Sequence, residues 1–159
     1  MSSAVIPIVA TKRPVRMLVY LCPAMGGFPA PAGEPSYLRA EYQRPPVDAE
    51  DRSWWPRERA ISQLYARIDP KLATELASRL RPQPQSVFGA PYPLQRPPRV
   101  PSVFLYTRDD ELFDDSWSRW IATHLLGVDP IELPGGHFPM LEHPALLANT
   151  LERCVKPTE

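Results

Sequence analysis

Two short apolar runs constrain this chain more than any other feature. Val15-Arg16-Met17-Leu18-Val19-Tyr20-Leu21-Cys22 lies between Pro14 and Pro23, and Pro101-Ser102-Val103-Phe104-Leu105-Tyr106-Thr107 opens at a proline. Both are β-rich and mostly apolar, the pattern of strands buried on both faces of a parallel sheet. Asp129–Leu133 is a shorter third candidate. A helical pattern follows each of the two later runs. After the first, Asp114 or Asp115 can cap a helix whose apolar stripe is Trp117, Trp120, Ile121 and Leu125 and which ends at Gly127. After the second, Pro144 suits the first turn of a final helix, with Leu147, Leu151 and Cys154 or Val155 facing inward. Strand, helix, strand, helix with short connections predicts right-handed βαβ units and an α/β fold around a short parallel sheet with flanking helices.

At the start of the chain, Ala4–Lys12 reads as the last turns of a helix, with Val5, Ile6 and Val9 on one face. Pro7 fits only if it lies in the first turn. Between the two long apolar runs stand almost eighty residues without a strand pattern. Most of the 22 prolines fall there, so the stretch is expected to be irregular and broken into short helices. Two helical segments remain legible, Arg57–Ile68 and Lys71–Leu80, the second opened by Asp69-Pro70 and closed before Pro82. The expected organisation is a core made of residues 1–22 and 101–159, with residues 23–100 inserted as a helical lid or cap. Trp54, Trp55, Tyr65, Phe88 and Tyr92 either line an apolar pocket under that lid or pack it onto the sheet.

At 159 residues the chain suits one domain. Its 18 Lys+Arg balance 18 Asp+Glu, so no field draws it to nucleic acid or an anionic membrane. Its apolar stretches are too short to span a bilayer. Cys22 and Cys154 lack the spacing of a disulfide framework or zinc site, which favours a reducing cytoplasm and a soluble, unexported protein.

Two positions carry chemistry, each directly after an expected strand. Thr107-Arg108-Asp109-Asp110-Glu111-Leu112-Phe113 is an acid-rich loop. In Leu133-Pro134-Gly135-Gly136-His137-Phe138-Pro139, two glycines let the backbone turn sharply and present one imidazole. A carboxylate and a histidine on successive strand ends can meet in space. His124 and His143 read as a helix-surface residue and a flank of the last helix. With no metal-ligand spacing among the three histidines, no metal and no cofactor is expected.

The run from Leu133 to Pro144, continuing His137-Phe138-Pro139 through Met140-Leu141-Glu142-His143, resembles the histidine loop of the α/β-hydrolase fold family. The lid and final segments are similar to its esterase and hydroxynitrile lyase-like branch. The resemblance covers Ala4 through Val155 and is strongest over Pro101–Leu151. It implies a catalytic triad in the chain order serine, acid, histidine, acting on ester or similar acyl bonds of a small molecule. Carried over by motif, His137 is the general base and Asp110 the acid that orients it; Asp109 is the alternative acid, one residue of slip away.

In that family the serine sits on a Gly-x-Ser-x-Gly elbow, and Met1-Ser2-Ser3-Ala4-Val5-Ile6 resembles the string that follows it. The expectation is a chain that begins one step after its nucleophile, lacks it and its oxyanion donors, and is inactive or weak by itself. Ser2 and Ser3 read as small residues that let the helix approach the sheet, and Ser2, with its own freed amine as base after loss of Met1, is an alternative nucleophile. The competing expectation is a non-catalytic pseudoenzyme or fragment that binds a small apolar ligand or a protein partner. An uncovered sheet edge would then favour a homo-oligomer.

Overall fold

The computed structural model describes residues 2–25, 27–28, 32–86 and 91–156. Met1, expected beside the nucleophile, and Phe88, expected among the lid aromatics, lie outside the described residues. In chain order the elements are α1 (Ser2–Lys12), β1 (Leu18–Leu21), β2 (Arg52–Ser53), α2 (Arg57–Arg59), α3 (Pro70–Arg79), β3 (Gln83–Pro84), β4 (Ser102–Thr107), α4 (Asp115–Ile121), β5 (Ile131–Leu133), α5 (Pro139–Glu142) and α6 (Pro144–Val155). Two compact units result: Met1–Arg39 with Tyr92–Glu159, and Ala40–Pro91. Among the described residues no helix is long and apolar enough to cross a membrane.

The first unit is built on a parallel sheet of order β1-β4-β5. Leu18 to Leu21 pair with Ser102 to Leu105, and Leu105 to Thr107 pair with Ile131 to Leu133, all parallel. Alternation along the strands sorts their side chains onto two faces. Leu18, Tyr20, Phe104 and Tyr106 bury with Trp117, Ile121 and Ala122, and Ile6 and Ala10 of α1 pack on the same cluster. On the other face Leu105 and Leu133 bury with Leu147, with Val19, Leu21, Val103 and Leu151 packed around them. Apolar residues at both phases of each strand thus follow from helices on both sides, as the unbroken apolar runs predict.

Local signals set the helix ends. The Asp114 carboxylate accepts from the Ser116 and Trp117 amides and so caps α4, while Gly127, in the left-handed region, ends the π-helical turn Ala122–Leu126 that extends it. Pro144 occupies the first turn of α6. There Leu147 and Thr150 are buried and Leu151 and Cys154 half-buried, whereas Val155 is exposed, so of the two residues open for the inward face it is Cys154 that takes it.

The first helix corrects the sequence expectation in two ways. It runs from Ser2, so Pro7 lies well inside it and not in its first turn. Its buried residues are Ser3 and Pro7, with Ile6 and Ala10 packed on the core, while Val5 and Val9 face solvent. Spacing of three and four selects one stripe, and the small Ser3 and Ala10 bring the helix close to its neighbours. Ser3 Oγ donates to the Ala24 carbonyl at 2.7 Å.

Tyr20 is buried, and its hydroxyl has no hydrogen-bond partner among the described residues. Burial pushes this phenol up to about 12. Tyr20→Phe removes the unpaired hydroxyl and keeps the ring, so it is expected to raise stability by about 1 kcal/mol in urea denaturation.

The second unit, Ala40–Pro91, holds α3, capped by Asp69 through the Lys71 and Leu72 amides, with Pro70 in its first turn. Where one helix over Arg57–Ile68 is expected, the chain forms the single turn α2 and then a π-helical turn, Ala60–Leu64. It also contains a small antiparallel pair, β2 with β3, although no strand pattern marks these residues. Two-residue strands containing Arg52 and Pro84 are too short to show alternation. Tyr92, grouped with the lid aromatics by position, belongs to the first unit, where its hydroxyl donates to the Ala4 carbonyl and its ring meets the edge of Phe28.

Candidate active site

The carboxyl ends of three successive parallel strands present Cys22 after β1, Asp110 after β4 and His137 after β5. Ligands of open α/β sheets bind at such ends, because the loops there are free to vary while the strands hold position. The structure brings Asp110 and His137 together: Asp110 Oδ2 is 2.8 Å from His137 Nδ1. Asp109 instead donates its amide to the Gly135 carbonyl, tying the acid loop to the histidine loop.

Asp110 is buried and its other oxygen is fully used. Oδ1 accepts from the Leu112 amide at 2.8 Å and the Phe113 amide at 3.0 Å. Arg39 braces the same loop from the other side, its guanidinium donating to the carbonyls of Asp110 and Arg108. Because a carboxylate only accepts hydrogen bonds, this contact puts a proton on Nδ1, and in the neutral form of such a ring the lone pair lies on Nε2. Phe113 and Phe138 make T-shaped contacts with the imidazole at ring-centre distances of 5.3 and 4.9 Å. Two such contacts restrict its rotation.

The two glycines before His137 have a use beyond turning. Gly135 has φ +99°, a conformation that residues with a side chain rarely adopt. Gly136 and His137 then donate successive amides to two carboxylates, Glu142 at 2.9 Å and Glu111 at 3.0 Å. A Cβ on Gly136 would lie 2.8 Å from Glu111 Cδ. Burial pushes the Glu111 carboxyl up; the His137 amide opposes this, and the nearby Asp110 and Glu142 charges add to it. Gly136→Ala is therefore expected to displace Glu111 from the His137 amide and destabilise the fold by about 1–3 kcal/mol. Thermal denaturation measures the loss, and faster hydrogen exchange at the His137 amide locates it.

Farther along the strand ends, Tyr106, Arg108 and Arg119 all donate to Glu132, which stays below the usual carboxyl range chiefly through the Tyr106 and Arg108 hydrogen bonds. The network fixes the start of the acid loop at Arg108. Cys22 Sγ lies 3.5 Å from Thr107 Oγ1. Burial pushes its thiol up to about 12, with the Thr107 hydrogen bond opposing and the Asp110 charge adding. It is thus protonated at neutral pH and a poor nucleophile. Cys22, Asp110 and His137 are nevertheless the one group of three metal-ligating side chains found close together among the described residues.

Of the remaining histidines, His124 is exposed on Trp120, its ring stacked at 4.5 Å. His143 stands at the N-terminus of α6 without a side-chain capping bond. Cys22 and Cys154 are free thiols. Hollows of about 330 and 350 Å³ open elsewhere, one beside Trp54, Trp55 and Leu80, the other beside Arg96, Val100 and Leu125. Neither is lined by an acid–base pair, so the strand ends are the stronger candidate. Sequence reasoning missed Arg39, Glu111, Glu142 and Thr107, and it set Cys22 aside as a disulfide partner or zinc ligand on spacing alone. The position of Cys22 just past a buried strand was the available signal.

A parallel sheet covered by helices, with an acid and a histidine meeting at neighbouring strand ends, defines a recognisable class. A model of the alpha/beta hydrolase family matches residues 2–150, and the chain belongs to that family. Among solved structures it is similar to the methylesterase protein MES16 from Arabidopsis, with a TM-score of 0.67 and 23% identity. The match covers 96% of this chain and 64% of that one, so the chain spans less than two thirds of that protein's length. At this identity the likeness shows the fold. No curated protein sequence matches the chain.

Proposed function

We propose that this chain supplies the base and the acid of an esterase-type hydrolase, with His137 as the base and Asp110 as its orienting acid. The observation that carries the reading is the 2.8 Å contact between His137 Nδ1 and Asp110 Oδ2 at adjacent parallel strand ends. In this reading Nε2 takes the proton of a nucleophilic hydroxyl as it attacks the ester carbonyl, then returns it to the leaving alcohol, and water later releases the acyl group. Asp110 stays ionised and steadies the imidazolium that forms between these steps. The methylesterase likeness supports an ester as the substrate class. The insertion 23–100 is the segment this reading assigns as the cap, from its place between β1 and β4 in the chain.

A second reading also has an observation behind it: none of the 159 residues forms a Gly-x-Ser-x-Gly elbow. On that basis the chain is a non-catalytic member of the family that uses the same strand ends to bind a small apolar ligand or a partner. Incubation of the purified chain, and of any longer chain that contains it, with a fluorophosphonate probe separates the two. Stoichiometric labelling lost in His137→Ala supports the hydrolase. If neither chain labels nor cleaves activated esters, the binding reading stands.

A further inference from the structure

Cys22 Sγ, a carboxylate oxygen of Asp110 and a ring nitrogen of His137 lie within 4.8 Å of one another. Sulfur, oxygen and nitrogen are the donors that zinc-type ions accept, and neighbouring ligands around a four-coordinate ion of that size stand about 3.4–3.8 Å apart. A shift of about 1 Å in a side chain closes the difference. Cys22 is held at φ 41°, and its amide still continues the sheet ladder to the Leu105 carbonyl at 2.9 Å. The backbone that positions the sulfur is therefore pinned.

Charge favours the same conclusion. Once the Cys22 thiol has given up its proton, its sulfur and the enclosed Asp110 carboxylate carry two negative charges, which a divalent cation between them balances. We propose that Cys22, Asp110 and His137 form a binding site for a thiophilic divalent cation of the zinc or cadmium class. On binding, the S–H bond of Cys22 breaks and its proton leaves to water; where His137 Nδ1 is the ligand, its proton passes by way of water to Nε2, and bonds from sulfur, oxygen and nitrogen to the metal form with no change of oxidation state. Filling the site takes His137 out of use as a base; this consequence alone rests on the hydrolase reading. Histidine spacing gives no sign of such a site because its three ligands come from three strand ends far apart in the chain.

The test is titration of cadmium chloride into the purified 159-residue chain, following the ultraviolet thiolate-to-cadmium charge-transfer band. The band should saturate at one cadmium per chain, persist in Cys154→Ser and vanish in Cys22→Ser. Affinity should fall at least about tenfold in Asp110→Asn. Because Cys22 lies in the core, a second measurement uses the unaltered chain: zinc chloride should shift the ring-nitrogen resonances of His137 and leave those of His124 and His143 in place. No band in the unaltered chain, a band that survives Cys22→Ser, unchanged affinity in Asp110→Asn, or zinc shifts at His124 or His143 alone would each overturn the site. None of these readouts depends on ester cleavage, so failure of the hydrolase reading leaves them independent.

Discussion

In any form of this protein that cleaves esters, Asp110→Asn is expected to lower kcat by roughly 10³–10⁴ and leave KM almost unchanged. The amide oxygen can still accept from the Leu112 and Phe113 amides, so the loop keeps its shape. The amide nitrogen then faces His137 Nδ1 with a hydrogen of its own, and two donors cannot share one bond. The ring must move its proton to Nε2, where the lone pair was needed. His137→Ala should abolish the same activity outright, and because it leaves the buried Asp110 Oδ2 without its partner the thermal midpoint should also fall. Steady-state kinetics alongside thermal denaturation checks both, and activity within tenfold of the parent in Asp110→Asn would remove Asp110 from the mechanism.

The largest effect on folding is expected from Phe104→Ala, about 3–5 kcal/mol. Phe104 is fully buried in β4, the central strand, beside Tyr20 of β1 and within the cluster that holds Trp117 and Ile121. Removing the ring loses its transfer free energy and leaves a cavity that a strand paired on both sides cannot close. Domains of this kind are stable by only about 5–15 kcal/mol, so one such change takes a large share. Urea denaturation should show a lower midpoint at constant slope. A loss under about 1 kcal/mol would mean that this face of the sheet is not the packed core.

Much of the fold was legible because its signals are local. Asp114 accepts from the Ser116 and Trp117 amides and Asp69 from those of Lys71 and Leu72, each within three residues, while Pro144 in its first turn has no N–H to satisfy. The three strands of the parallel sheet were legible from apolar runs too short for helices. What escaped notice depends on neighbours distant in the chain. Val5 and Val9 are as apolar as Ile6, but only the packing of α1 shows that Ser3, Pro7 and Ala10 face inward. The π-helical turns at Ala60–Leu64 and Ala122–Leu126 insert no special residue, so they have no mark in composition.

The candidate pair was legible for a related reason. A double glycine before a histidine, and acids after the preceding strand, are short patterns at strand ends. Which of Asp109 and Asp110 meets His137 depends on the register of β4 on β5, and the structure places Asp110 Oδ2 2.8 Å from the ring. The clamp of Glu111 and Glu142 on the His137 loop was hidden because a carboxylate that accepts backbone amides resembles any surface acid in sequence.

The proton between two side chains is the point on which the rest turns, and nitrogen-15 NMR of the His137 imidazole observes it directly. The expected spectrum at neutral pH shows a proton fixed on Nδ1 and shielded from exchange, a signal that Asp110→Ala removes while Asp109→Ala leaves it. A ring protonated mainly on Nε2, or one whose signals ignore Asp110→Ala, would contradict the assignment of His137 as a base held by Asp110.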